Sequence, residues 1–210
     1  MSEFFHHLFP PDLPWLFSQY GNAIYVVLFL IIFIETGLVI WPFLPGDSLL
    51  FLAGLFAKGG LLNMGFLVLL LFTAAVLGDN TNYWIGRLIG TRVLRWKFRG
   101  KNLVKQEYID KTHSFFEKYG VKTIIMARFV PIVRTFSPFV AGTAEMKYSK
   151  FLPFDILGGA IWILGLTFAG YFLGDFEFFR EHIEMVAVGI VLVSLLPIVF
   201  GVIRAKRKKA

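Results

Sequence analysis

Four ionisable residues stand inside otherwise apolar stretches of this 210-residue chain, Glu35 and Asp47 in one, Arg128 and Arg134 in another. Placing each in a bilayer costs roughly 2.5–3.5 kcal/mol, so the four cost about 10 kcal/mol unless paired or hydrated. A cost of that size points to a working polar site. Two guanidiniums six residues apart, on broken helices whose free amide ends point inward, suit an anion, because Arg grips phosphate through a bidentate fork. A phosphate or phospholipid headgroup is the expected ligand of Arg128 and Arg134. Glu35 and Asp47 are the expected proton carriers, since a carboxyl removed from water can load and unload a proton near neutral pH. Two plainer roles stay open: Asp47 or Ser48 capping a helix that begins at Leu49, and Arg128 snorkelling to the interface.

The setting of these residues is a membrane. Apolar residues make up 57% of the chain and charged ones 17%, with 25 Phe and a mean hydropathy of +0.69. A typical soluble domain is about 45–50% apolar and about 25% charged. The net charge is +7, from 21 Lys and Arg against 14 Asp and Glu. Thirteen of the basic residues fall in two clusters, Arg87 to Lys111 and Arg204 to Lys209, each directly after an apolar segment. Basic residues in that position mark the cytoplasmic side, so the excess reads as topology and no nucleic-acid partner is expected. Cysteine is absent, which excludes disulfides, thiolate catalysis and Cys-bound zinc.

The apolar segments define the elements that must carry the site. Residues 1–22 lack Lys and Arg and read as an interfacial segment rather than a signal peptide. A span from Ala23 to about Gly37 is followed by Pro42, Pro45, Gly46 and Asp47, which no straight helix can contain. Residues 39–59 therefore read as a re-entrant hairpin, and 61–84 as a span whose end is polar through Asp79, Asn80 and Asn82. Asp79 and Arg87 are read as interfacial and structural. Residues 88–120 form the basic cytoplasmic loop. Arg128, Pro131, Arg134 and Pro138 interrupt a second hairpin over 121–142, and the span 151–174 follows, interrupted only by Asp155. A final span over 185–203 leads into the basic tail 204–210.

Pro42 and Pro131 lie 89 residues apart, and Ala53-Gly54 and Ala141-Gly142 lie 88 apart. Tyr83-Trp84-Ile85-Gly86 matches Tyr171-Phe172-Leu173-Gly174 at 88. Two units, 23–87 and 121–174, each with one hairpin and one following span, would sit in opposite orientations, the arrangement of alternating access. Gly37, Pro42, Pro45, Gly46, Pro131, Pro138 and Gly142 are the expected makers of the hairpin geometry. No HExxH, Walker A, GxGxxG or GxSxG motif is present, and His6, His7, His113 and His182 lack metal-ligand spacing. No metal, cofactor or enzymatic activity is expected. An intramembrane phosphatase would have only Ser48 and Ser137 as nucleophiles.

Three motifs resemble those of the DedA family of bacterial inner-membrane proteins, over nearly the whole chain. They are Glu35-Thr36-Gly37 with Pro42-Phe43-Leu44-Pro45-Gly46-Asp47, Gly78-Asp79 with Tyr83-Trp84-Ile85-Gly86-Arg87, and Arg128-Phe129-Val130-Pro131-Ile132-Val133-Arg134 with Ala141-Gly142. The resemblance implies a carrier dependent on protons or membrane potential, translocating a lipid phosphate such as undecaprenyl phosphate. It also implies essential roles for Glu35, Asp47, Arg128 and Arg134. The alternative it implies is a proton-coupled transporter of ions or small solutes in osmotic or alkaline stress.

The expectation is an all-α inner-membrane protein of about three full spans and two opposed re-entrant hairpins, with both termini cytoplasmic. Its expected partners are a membrane lipid and protons, with room for a homo-oligomer. A non-catalytic scaffold is disfavoured, because it has no need of four costly charges.

Overall fold

The structure, a computed structural model, describes residues 13–38, 46–95, 97–98, 101–102 and 106–176. Helices dominate: α1 (Leu13–Gly37), α2 (Gly46–Lys58), α3 (Met64–Arg95), α4 (Gln106–Tyr119), α5 (Thr123–Ala127), α6 (Pro131–Thr143) and α7 (Tyr148–Leu173). Two-residue strands β1 (Lys97–Phe98) and β2 (Lys101–Asn102) pair antiparallel between α3 and α4. The expected interfacial segment 1–22 is helical from Leu13, and its first 12 residues lie outside the described residues. Pro42 and Pro45, the final span 185–203 and the tail 204–210 also lie outside them.

Among the described residues two helical stretches are long and apolar enough to cross a membrane, Met64–Gly90 and Tyr148–Leu173. They correspond to the expected spans 61–84 and 151–174. The stretch Gly21–Gly37 is shorter, 17 residues. One expectation is corrected. The helix does not stop near Asp79, Asn80 and Asn82, which lie mid-way along the 32-residue α3. The helix tolerates polar residues there because they bond within it: Asn80 Nδ2 donates to the Val76 carbonyl at 2.7 Å and Thr81 Oγ1 to that of Leu77 at 2.8 Å. The segment 88–120, expected as a cytoplasmic loop, is likewise largely built, from the end of α3, the ribbon and α4.

The chain packs as two compact units, one of Met1–Leu28, Pro45–Val68 and Gly165–Ala210, the other of Phe29–Leu44 and Leu69–Leu164. In the first, α2 is closed by Gly60, two residues beyond its last residue, whose φ of +77° lets Leu61 N reach back to the Phe56 carbonyl, a glycine C-terminal cap. Asn63 then caps α3 by accepting from Phe66 N at 3.0 Å. Gly46 is buried at the start of α2, and Asp47 lies in its first turn, where a carboxylate meets the positive end of the helix. A Cβ on Gly54 would overlap the Thr167 carbonyl, and one on Gly170 would overlap that of Phe51. Lys58 pairs with Asp175 and lies over the Tyr171 ring.

The second unit repeats that packing. A Cβ on Gly142 would overlap the Tyr83 carbonyl, and one on Gly86 would overlap that of Phe139. Gly54 and Gly142 are 88 residues apart, as are Phe51 and Phe139, whereas Gly86 and Gly170 are 84 apart. The arm of each sequence unit therefore packs on the span of the other. In the spans, the packing matches Gly86 to Gly170 instead of Gly174. The break expected in 121–142 falls at Arg128–Val130, with Pro131 opening α6, where its missing amide costs nothing. Pro138, expected to interrupt, sits inside α6, so only one of the two prolines breaks the chain.

Backbone-on-backbone contact at Gly142 leaves no room for a side chain. Gly142→Val should cost more than the ~1–3 kcal/mol of ordinary overpacking, read by unfolding the purified protein in mixed micelles. Gly21→Ala, where a Cβ meets nothing within 4 Å, should hold or raise stability. Equal stability of Gly142→Val and the parent would contradict the packing.

Candidate functional site

The second unit gathers the buried charges. α1 brings Glu35, α3 brings Asp79, the α5–α6 turn brings Arg128, α6 brings Arg134, and α7 brings Asp155 and Trp162. Close approach of α1 and α3 is what makes this possible: an ideal Cβ on Gly37 would lie 3.3 Å from Gly78 Cα. Asn82 Nδ2 then ties α1 to α6, donating to the Thr36 carbonyl at 3.0 Å and the Thr135 carbonyl at 2.8 Å.

Arg134 Nη2 donates to Glu35 Oε1 at 2.6 Å, a pair whose side chains are 7% and 2% exposed. The acid of the first sequence unit thus meets the base of the second. Arg128 has two acids. Its Nη2 donates to Asp79 Oδ2 at 2.5 Å and to Asp155 Oδ1 at 2.6 Å, and to the Asp155 carbonyl at 3.2 Å. It does not snorkel, because the residue is only 5% exposed. Gly158 makes space for it: an ideal Cβ there would sit 3.1 Å from Arg128 Nε. Both guanidiniums lie over the Trp162 ring, with Cζ 4.6 Å from its centroid for Arg134 and 5.8 Å for Arg128. That geometry adds cation–π attraction of about 0.5–2 kcal/mol.

Arg128 Nε and Nη1, Asp155 Oδ2 and Ser137 Oγ are buried with no hydrogen-bond partner among the described residues. They surround a cavity of about 10 Å³ lined by Asp79, Ile124, Arg128, Arg134, Ser137, Pro138 and Asp155, room for one water molecule. The free donors on Arg128 can take an oxygen of an oxyanion, and the carboxyls beside them can take or release a proton.

The sequence reading therefore found Glu35, Arg134 and Arg128, and missed three members. Asp79, read as interfacial, is 3% exposed and bonded to Arg128. Asp155, read as an interruption of a span, is 0% exposed and completes the same cluster. Trp162 carried no signal. The signal for both acids was their occurrence within an apolar span, where any carboxyl needs a partner. Asp47 belongs to the other compact unit. No group of His, Cys, Asp and Glu suited to a metal ion occurs among the described residues.

Two apolar helices of membrane-spanning length and a buried charge cluster suit a helical membrane protein, and the relatives of the chain carry that assignment. The VTT domain family matches residues 44–172. The chain is 48% identical to Protein DedA of Escherichia coli K12, over 93% of this chain and 89% of that protein. An uncharacterized membrane protein of Mycobacterium leprae is 45% identical over 90% and 86%. Inner membrane protein YqjA of Escherichia coli K12 is 35% identical over 86% and 81%. No solved structure matches. The chain belongs to the DedA family of VTT-domain membrane proteins.

Removing one partner of a buried pair leaves an uncompensated charge, at a cost of about 3–5 kcal/mol. Glu35→Ala should show such a loss in micellar unfolding, and Glu35→Ala with Arg134→Met should recover most of it. A double variant as unstable as the single would contradict the pairing.

Proposed function

We propose that this protein is a transporter that moves a lipid phosphate, foremost undecaprenyl phosphate, across the bacterial inner membrane at the expense of the proton-motive force. The single observation carrying this reading is Arg128, which is buried yet keeps Nε and Nη1 without a partner among the described residues. A buried guanidinium with unused donors is a half-made anion site, since each unmet donor costs free energy that a ligand oxygen recovers. Arg134, held over Trp162 by Glu35, supplies the second positive charge. The headgroup would sit at these arginines while the polyprenyl tail stays in the bilayer beside the Phe-rich surface.

Glu35 and Asp47 are the proposed proton-coupling residues, with protonation of either switching access between leaflets. The opposed hairpins 39–59 and 121–142 and the cytoplasmic termini complete this reading. The inner-membrane location is supported by the name of the YqjA relative. A homo-oligomer is compatible with it.

The size of the cavity favours a second reading. Room for one water fits a proton-coupled transporter of ions or small solutes without rearrangement, whereas a phosphate requires the site to open.

Proteoliposomes separate the two. Undecaprenyl phosphate translocation driven by a proton gradient should fall by roughly ten- to a hundredfold in Arg128→Lys and in Arg134→Ala, the worth of one charge-assisted hydrogen bond of ~1.5–3 kcal/mol. Unchanged translocation would overturn the headgroup assignment. Proton-linked solute uptake by vesicles free of lipid phosphate would establish the second reading.

A further inference from the structure

We propose that Asp79 and Asp155 form a shared proton site, holding one proton between their two carboxyl groups beside Arg128. This pair lies outside the roles given above to Glu35 and Asp47, and only its coupling to an anion rests on the transport reading.

Charge arithmetic is the first argument. Glu35 and Arg134 neutralise one another, which leaves the Arg128 guanidinium facing both Asp79 and Asp155. The remaining cavity lining, Ile124, Ser137 and Pro138, carries no ionisable group. Two ionised carboxylates would leave a net negative charge buried where there is room for only one water, an arrangement that proteins avoid by neutralisation. One bound proton removes it.

Geometry is the second. A single nitrogen, Arg128 Nη2, bonds both acids at 2.5 and 2.6 Å, and so holds the two carboxyls side by side against one cation. Ionised carboxylates only accept, so the two repel across that nitrogen unless one of them carries a proton. The third argument is a pair of polar atoms aimed at the cavity. Asp155 Oδ2 and Ser137 Oγ, on residues 0% and 2% exposed, have no partner among the described residues. A water between them would give the proton a way in and out.

The consequence follows from linkage. An anion added at the free Arg128 donors restores negative charge to the cluster, and the pair responds by taking up a second proton. Anion and proton then bind together and leave together.

Infrared spectroscopy of the purified full-length protein in nanodiscs tests the site without any transport assay. The wild type should show a protonated-carboxyl stretch that shifts in heavy water. The band should vanish in Asp79→Asn and in Asp155→Asn, because the remaining carboxylate then pairs with Arg128 alone, and it should survive when Glu35→Ala and Arg134→Met remove the neighbouring ion pair together. A wild type without the band, or a band that survives in both Asn variants, would overturn the proposal. Melting gives a second check. Either single Asn variant should melt near the wild type, since one carboxyl is already neutral, and the double variant should melt far below both because Arg128 loses its counter-ion. A double variant melting with the singles would also overturn it. The band present in a protein that fails to move undecaprenyl phosphate would refute the transport reading and uphold the proton site.

Discussion

Arg128 is an obligate cation held in a site that is 5% exposed, and the cost of keeping it there shapes what surrounds it. The guanidinium cannot shed its charge, so carboxylates must come to it, and they come from two separate long helices, Asp79 on α3 and Asp155 on α7. Bringing α7 alongside the α5–α6 turn requires small residues, which Gly158 and Gly159 supply. Arg134 repeats the solution with Glu35 from α1, and Trp162 faces both cations. Elements distant in sequence are thereby fastened by charge where apolar packing against lipid offers little driving force.

Glycine carries the rest of the fastening. Gly54 on Thr167 and Gly142 on Tyr83 are backbone contacts of the same kind, one in each compact unit, and each joins an arm from one sequence unit to the span of the other. Such contact brings two helices within reach of each other's backbone. It gives each span a neighbour close enough to bury polar groups, as with Asn82 bonding two carbonyls.

Much of this was legible from residue types alone. A charge in an apolar stretch is anomalous wherever it occurs, so Glu35, Arg128 and Arg134 stood out, and Pro131 located the break because it can open a helix but not continue one. The two long apolar helices that match expected spans rest on long apolar runs, the strongest signal a membrane sequence carries. What was not legible is pairing. Asp79 looked terminal because Asn80 and Asn82 made its surroundings polar, yet these side chains bond inside the helix and toward α1 and α6. Asp155 looked like an isolated interruption because its partner lies 27 residues away across a turn. Pro138 looked like a second break, and α6 absorbs it. Local chemistry predicts which residues need partners, and only packing decides which partners they get.

The central claim is that the unused Nε and Nη1 donors of Arg128 receive a headgroup phosphate. Phosphorus NMR of undecaprenyl phosphate in nanodiscs containing the protein reads that contact directly. The account predicts a phosphate resonance displaced by the wild type and restored to its free position by Arg128→Lys, whose point charge cannot replace the planar fork. The same displacement in both proteins would contradict it.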